Sequence, residues 1–427
     1  MSTEKKSPED EGSFSSRVIS IVFIILLLDL LGFTLILPLL PSILDHYAQT
    51  EDPVYQSLQS IVDWFREAVG IPMERKYNSV LFGGLAAIDS PLIKCLVFQF
   101  GLMSSYAVWA ISRSFSMFLL FRVIGGICKG NVSLCTAIVA DLPCPKARNR
   151  GMAVIGIAFS MGFTVGPLMG AYFAVNSSKE DVFYQAPALL ALAFSAADLL
   201  FIWLILPETL VSSGSGETKD LLSPLALFHF SAVTRTEDPP SKERMQRLKL
   251  LGLVYFLYLF LFSGVEFTLS FLTHQRFQFT SMQQGRMFFF IGIIMALIQG
   301  GYARRIKPGH HVKAVRMAII LLIPAFVLIG LSWNLKMLYI GLALYSFAAA
   351  IVVPCLSTLV SDHGSASQKG TVMGILRSLG ALARALGPVV ASSVYWIAGA
   401  EACFILSSAC FIVPLTLLST ARRIKED

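Results

Sequence analysis

Charge is scarce in this sequence. Only 14% of its 427 residues are Asp, Glu, Lys or Arg, whereas 55% are hydrophobic; an ordinary soluble domain carries about 25% charged residues. With a mean hydropathy of +0.68 and apolar runs along the whole chain, no soluble core of ordinary size holds this material. Paired cysteine spacing is missing as well. Cys95, Cys128, Cys135, Cys355, Cys403 and Cys410 lie in or beside apolar segments, and Cys144 sits in a short basic loop. That pattern argues against a disulfide framework or a cysteine metal site and leaves the thiols as packing groups. The sequence also has no phosphate loop, nucleophile elbow or metal-ligand cluster. Neither an ATP-driven machine nor an enzyme is therefore expected, and no cofactor or metal.

What the chain has in abundance is apolar runs of bilayer length. The first seventeen residues are polar, and the run behind them, VISIVFIILLLDLLGFTLILPLL, is longer than a signal-peptide core and has no small-residue cleavage pattern. It is expected to remain as a first membrane helix. Further spans, each near the ~20 residues that cross the hydrocarbon, are expected at 117–142, 151–175, 187–206, 250–272, 286–303, 314–334, 337–360, 371–396 and 401–420. The fold class is an all-α membrane protein.

The net charge of +7 follows from topology. If both termini and the loops 143–150, 207–249, 304–316 and 361–370 share one side, that side holds 21 Lys and Arg. The opposite loops hold only Arg66, Arg75, Lys76, Arg113, Lys179, Arg276 and Lys336. This is the positive-inside bias, so both termini are expected in the cytoplasm and no nucleic-acid partner is invoked.

The chain also repeats itself. SLCTAIVAD (133–141) aligns without gaps on PCLSTLVSD (354–362) at an offset of 221, and the same offset takes Gly166-Pro167 to Gly387-Pro388. A weaker echo sets Phe33-Thr34-Leu35 against Phe267-Thr268-Leu269. The expected organisation is a tail (1–17), a first helix bundle (18–209), a polar linker (210–249), a second bundle (250–420) and a tail (421–427). Within the linker, LLSPLALFHFSAV reads as a surface-lying piece. Two parallel repeats joined this way place a substrate between them near the midplane.

LLLDLLGFTLILPLLP in the first span, FRVIGGICKGN (121–131) in the fourth, GFTVGPLMG (162–170) in the fifth and LPET (206–209) closing the sixth resemble the major facilitator superfamily, in its drug and proton antiporter branch. Segments such as KYNSVLFGG, LSFLTHQRFQF and QKGTVMGILRSLGALAR extend the likeness over nearly the whole chain beyond residue 17. The resemblance implies a fold of two pseudo-symmetric six-helix bundles, with a monomer exporting small organic anions or drugs, exchanged for protons. One stretch departs from it. Between Ser79 and Ser112 the family has two spans and a tight Gly-, Asp- and Arg-bearing loop, yet thirty-four residues are present, and two spans alone need ~40. Either 79–92 forms a short re-entrant piece, or the second helix is truncated, as in a splice variant or a faulty gene model. The length favours truncation, which puts the count at eleven to twelve spans.

Against this apolar background the few embedded charges become candidates, because each one at mid-depth costs at least ~2.5 kcal/mol. Arg122 and Lys129 lie seven apart on one helix face, as do Arg377 and Arg384. Opposite them in sign stand Asp29, Asp198 and Glu266. In the family the first, fourth, seventh and tenth spans line the cavity, which implies that Asp29, Arg122, Lys129, Asn131 and Glu266 converge there as substrate or proton groups. Plainer readings exist for each: an Asp29–Arg122 ion pair, a snorkelling Lys129, headgroup anchors at Arg377 and Arg384, and a packing role for Asp198. Gly162, Gly166, Pro167, Gly170, Gly387 and Pro388 allow close helix approach and bending, and the resemblance implies that this Gly-Pro motif marks exporters. Ala153 and Ala171 stand where the family has glycine. Tyr255, Tyr258, Phe262, Phe267, Tyr345 and Phe347 form a candidate aromatic wall, and Asn176-Ser177-Ser178 is a glycosylation sequon in a loop placed outside.

Overall fold

A computed structural model describes residues 8–49, 52–69, 95–128, 135, 138, 139, 142, 145–176, 185–205, 224–234, 241–306, 309–363 and 368–423. The described residues form helices α1 (Pro8–Thr34), α2 (Leu40–Gln49), α3 (Pro53–Val69), α4 (Cys95–Ile111), α5 (Phe115–Ile127), α6 (Pro145–Asn176) and α7 (Gln185–Ile205). Beyond them come α8 (Pro224–His229), α9 (Ser231–Thr234), α10 (Lys242–Phe277), α11 (Ser281–Gly301), α12 (His311–Gly330), α13 (Leu335–Asp362), α14 (Lys369–Cys410) and α15 (Ile412–Arg423). Eight of the described helical segments are long and apolar enough to cross a membrane. Their outer faces carry Trp203, Leu204 and Leu297 exposed, as helices bathed in lipid do. Residues 70–94, where the sequence is too short for two spans, lie outside the described residues.

In the first half α1 packs on α6 and α7, and α4 on α5 and α7. Gln99 of α4 is fully buried and donates to the Ser195 carbonyl and hydroxyl of α7, both at 3.1 Å. In the second half α10 packs on α14, and α12 on α13 and α14. The segment between the halves docks here instead of lying on the surface: Phe230 and Val233 are fully buried, and a Cβ on Gly252 of α10 would stand 2.7 Å from the Phe230 ring. Its aromatic and aliphatic side chains gain more by filling that groove than by resting on headgroups. Helix α10 then starts at Lys242, inside the stretch read as linker, where the Ser241 hydroxyl caps it by accepting from the Arg244 amide.

Small residues set the closest approaches. A Cβ on Gly162 would stand 2.6 Å from the Leu30 Cβ, and one on Gly170 would collide with the Leu35 carbonyl. The Thr34 hydroxyl bonds across this seam to the Gly162 carbonyl at 3.0 Å. The repeat reproduces the device between α14 and α10, where a Cβ on Gly264 would come within 2.7 Å of the Gly387 carbonyl. On its other side α6 meets α11 of the second half. There Gly292 faces Thr164, and a Cβ on Gly285 would be 3.1 Å from the Pro167 carbonyl. Ser160 and Gln299 hydrogen-bond across the same contact.

Gly399, with φ of 87°, interrupts α14 at the boundary expected between the last two spans, and glycine tolerates that left-handed conformation at no steric cost. The Cys403 thiol lies 3.4 Å from the Ala391 carbonyl. Twelve residues of unbroken helix rise ~18 Å, so the chain doubles back at Gly399.

The α1–α6 seam yields a test. Gly170→Val is expected to cost about 1–3 kcal/mol by overpacking, read as a lower melting temperature of the detergent-solubilised protein. Gly156→Ala, where an added Cβ meets nothing within 4 Å, is expected to leave it unchanged or raise it. Equal effects of the two would refute the seam.

Candidate functional site

Among the described residues, Asp29, Arg122 and Asp198 gather in the first half, and Glu266, Arg377 and Arg384 in the second. In the first half, α5 is started by the Ser114 hydroxyl, which accepts from the Met117 amide at 3.3 Å. Arg122 comes two turns later, ~12 Å along the axis, well inside the ~30 Å hydrocarbon layer. Asp29 sits on α1, five residues before its end, so both charges lie nearer the face opposite the chain termini. They line one narrow pocket together with Phe33, Ser105, Tyr106 and Phe121. Asp29 is almost sealed, at 4% exposure. Arg122 is half-buried, its guanidinium carbon 5.7 Å from the Phe121 ring centre, within cation–π range.

Asp198 of α7 adds a third charge to this cluster. It is wholly buried, neither carboxylate oxygen has a hydrogen-bond partner among the described residues, and Asp29 is the charged group that acts on it. Sequence reasoning leaned toward a packing role here. The signal available was a single acid in an otherwise apolar span, AFSAADLLFIW.

In the second half Glu266 of α10 has the Tyr345 hydroxyl of α13 as its hydrogen-bonding neighbour and feels the charge of Arg384 of α14. Arg377, two turns before Arg384, feels that charge and Tyr255. Its Nε is buried without a hydrogen-bond partner among the described residues. Tyr345 is held by face-to-face stacking on Phe262, with ring centres 4.8 Å apart, and Tyr258 stacks on Phe262 in turn at 5.4 Å. The candidate aromatics Tyr255, Tyr258, Phe262 and Tyr345 are therefore core residues of the second half that also wall in the Glu266 cluster. Phe267 and Phe347 are partly buried beside them.

The structure thus groups Asp29 with Arg122, and Glu266 with Arg384 and Arg377. Lys129 and Asn131 lie outside the described residues. Gly162, Gly166, Pro167 and Gly170 fall on the seams of α6, and Gly387 and Pro388 on α14 against α10. Asn176 is the last residue of α6, at the face opposite the termini.

The major facilitator superfamily model matches residues 22–388. The chain belongs to the major facilitator superfamily. Major facilitator superfamily domain-containing protein 10 of Homo sapiens, a tetracycline transporter-like protein, is 57% identical over 429 residues, covering 94% of this chain and 92% of the human one. The Bos taurus protein of the same name is 55% identical. A crystal structure of the human organic anion transporter MFSD10 (TETRAN) superposes with a TM-score of 0.79 at 55% identity, covering 97% of this chain and all of that one. More distantly, the class D tetracycline resistance protein of Salmonella ordonez is 24% identical over 388 residues. As a superfamily member this chain is a multi-pass, all-helical transporter. The resemblance read from FRVIGGICKGN and GFTVGPLMG is borne out at the level of fold and family.

The Glu266–Tyr345 contact can be measured. A double-mutant cycle with Glu266→Gln and Tyr345→Phe is expected to show a coupling of about 0.5–3 kcal/mol in unfolding free energy. Additivity within ~0.5 kcal/mol would remove Tyr345 from the site.

Proposed function

We propose that this transporter exports small organic anions or amphipathic drugs by alternating access, in exchange for protons. The observation that carries the reading is the guanidinium set: Arg122 on one half lines a pocket with Asp29, while Arg377, its buried Nε unpartnered among the described residues, stands with Arg384 on the other. A buried donor without an acceptor is costly, and an anion drawn between the halves would supply one to Arg377 through a charge-assisted hydrogen bond while meeting the positive charge of Arg384 and Arg122. Asp29 and Glu266 are the carboxylates that would take up the proton exchanged, and Lys129 and Asn131 are assigned to the same cavity from sequence. The human relative's description as an organic anion transporter supports the substrate class.

The same reading puts both termini and the 210–249 linker in the cytoplasm on the positive-inside bias. It places the protein in the plasma membrane as a monomer of two bundles, 18–209 and 250–420, with Asn176 glycosylated outside. The Gly-Pro segments of α6 and α14 are the places where helices slide as access alternates.

A second reading, a non-transporting membrane scaffold or inactive splice variant, is favoured by the shortage of residues between Ser79 and Ser112. The alignment with the human protein runs over 429 residues yet takes in only 94% of this 427-residue chain, so part of the human protein has no counterpart here.

Efflux of a labelled organic anion from cells expressing this chain separates the two. Transport is expected, rising when an inward proton gradient is imposed, and Arg122→Ala is expected to cut it about tenfold or more, the loss of one charge-assisted hydrogen bond at ~1.5–3 kcal/mol. Transport untouched by the substitution would reject the site, and no transport by the intact chain would leave the scaffold.

A further inference from the structure

Beyond the embedded clusters, one titratable pair joins the two halves. Helix α2 follows the turn at the end of α1 on the face opposite the termini, and α10 ends at the same face. There the His274 Nε2 lies 2.9 Å from Asp45 Oδ2, and the His274 Nδ1 lies 3.0 Å from the Phe279 carbonyl oxygen. Both neighbours are hydrogen-bond acceptors. A neutral imidazole has one N–H and one lone pair, so it satisfies one of these oxygens and turns a lone pair toward the other. Only the imidazolium donates to both. The geometry is that of a protonated histidine.

We propose that the Asp45–His274 pair is a proton-binding latch that ties the halves together over the cavity at this face when protonated and releases them when the proton leaves. It rests on the alternating-access reading above and gives it a regulated gate distinct from the membrane-embedded charges.

Each side of the latch is anchored to its own half. Tyr47 of α2 donates to the Ser114 carbonyl at 3.2 Å, its ring packs edge-on against Phe115 at 5.3 Å, and Leu40, Ile43 and Leu44 are buried. At the end of α10, Arg276 donates to the Gly330 and Ser332 carbonyls at 2.6 and 3.0 Å and pairs with Glu401 of α14. A bond between Asp45 and His274 therefore acts on whole bundles instead of on loose loops. The side chains of His274 and Asp45 are 22% and 44% exposed, so protons reach them from water. The other charged groups on elements packed around this end of α10 are His46 of α2, Arg286 of α11, Lys336 of α13 and Glu401 of α14. Among the described charged side chains only Asp45 comes within hydrogen-bonding distance of the imidazole. The α6–α11 contact also joins the halves, but through groups such as Ser160 and Gln299 that do not titrate. A histidine whose charge alters between about pH 5 and 8 is the side chain suited to such a switch.

The test is a distance measurement on the full chain in lipid vesicles without substrate, with spin labels attached through unnatural amino acids at Arg113 of the first half and Lys336 of the second. The ratio of short to long distances is expected to rise about two- to fivefold from about pH 8 to about pH 5.5, the modest size befitting a partly exposed pair. His274→Gln and Asp45→Asn are expected to flatten that response, and His274→Lys, a cation throughout the range, to hold the short distance at every pH. A wild-type distribution that ignores pH, or a response that survives His274→Gln, overturns the latch. Closure with pH in a chain that moves no organic anion would overturn the proposed substrate and leave the latch standing; anion transport with a pH-insensitive distance would do the reverse.

Discussion

The cost of holding charge inside hydrocarbon is the constraint on which the arrangement of this protein depends. Where a soluble protein scatters ionised groups over its surface, this one keeps few within its spans, and Asp29, Asp198, Arg122, Glu266, Arg377 and Arg384 are buried or half-buried. Arg122 lies by Phe121 and shares its pocket with Asp29; Glu266 is flanked by Tyr345 and Arg384. Ionised groups in a bilayer interior persist only with partners or water, so the helices that bear them must face the centre. That requirement orients α1, α5, α10 and α14 about their own axes before any packing detail does. The lipid side then takes whatever apolar residue remains, as the exposed Trp203 and Leu297 illustrate.

Duplication carries over the helix seams but not the charges: at the offset of 221 Arg122 falls on Ala343, Arg377 on Gly156 and Arg384 on Phe163. Gly166 against α1 and Gly387 against α10 are equivalent positions of the repeat, and each brings two helix backbones to near contact. The halves are not copies in chemistry, however. The first contributes one described arginine with two acids, the second two arginines with one acid and a stack of aromatic rings. On the proposed reading, asymmetry of this kind would give a substrate lying between the halves a different neighbour on each side, charge toward one and charge with aromatic surface toward the other.

Much of this was legible in the sequence because the bilayer simplifies the code. Spans show as apolar runs, because an unsatisfied backbone group in hydrocarbon is so costly, and repeats show as a constant offset. The turn at Gly399 fell where the last two expected spans were divided. Partnerships were less readable. Nothing in the spacing joins Glu266 to Tyr345, or Asp45 to His274, since those contacts depend on how helices distant in sequence rotate and tilt. The docking of Phe230 against Gly252 was missed because a short amphipathic stretch looks the same whether its apolar side meets lipid or protein. Asp198 was underweighted because a lone acid in a span carries no information on its neighbours until the fold places Asp29 beside it.

Helix α6 is pressed between α1 of its own half and α11 of the other, and both of its faces there are made of glycine, alanine and hydroxyl groups. Such a surface has few long side chains to interlock, so its resistance to rotation is smaller than its resistance to separation, which is that of close van der Waals contact. On the alternating-access reading proposed above, the second half would tip about this line as a door turns on a pin, keeping the backbones in touch throughout. Any bulky side chain grown along it would act as a doorstop, limiting the swing without disturbing the residues that hold the cargo.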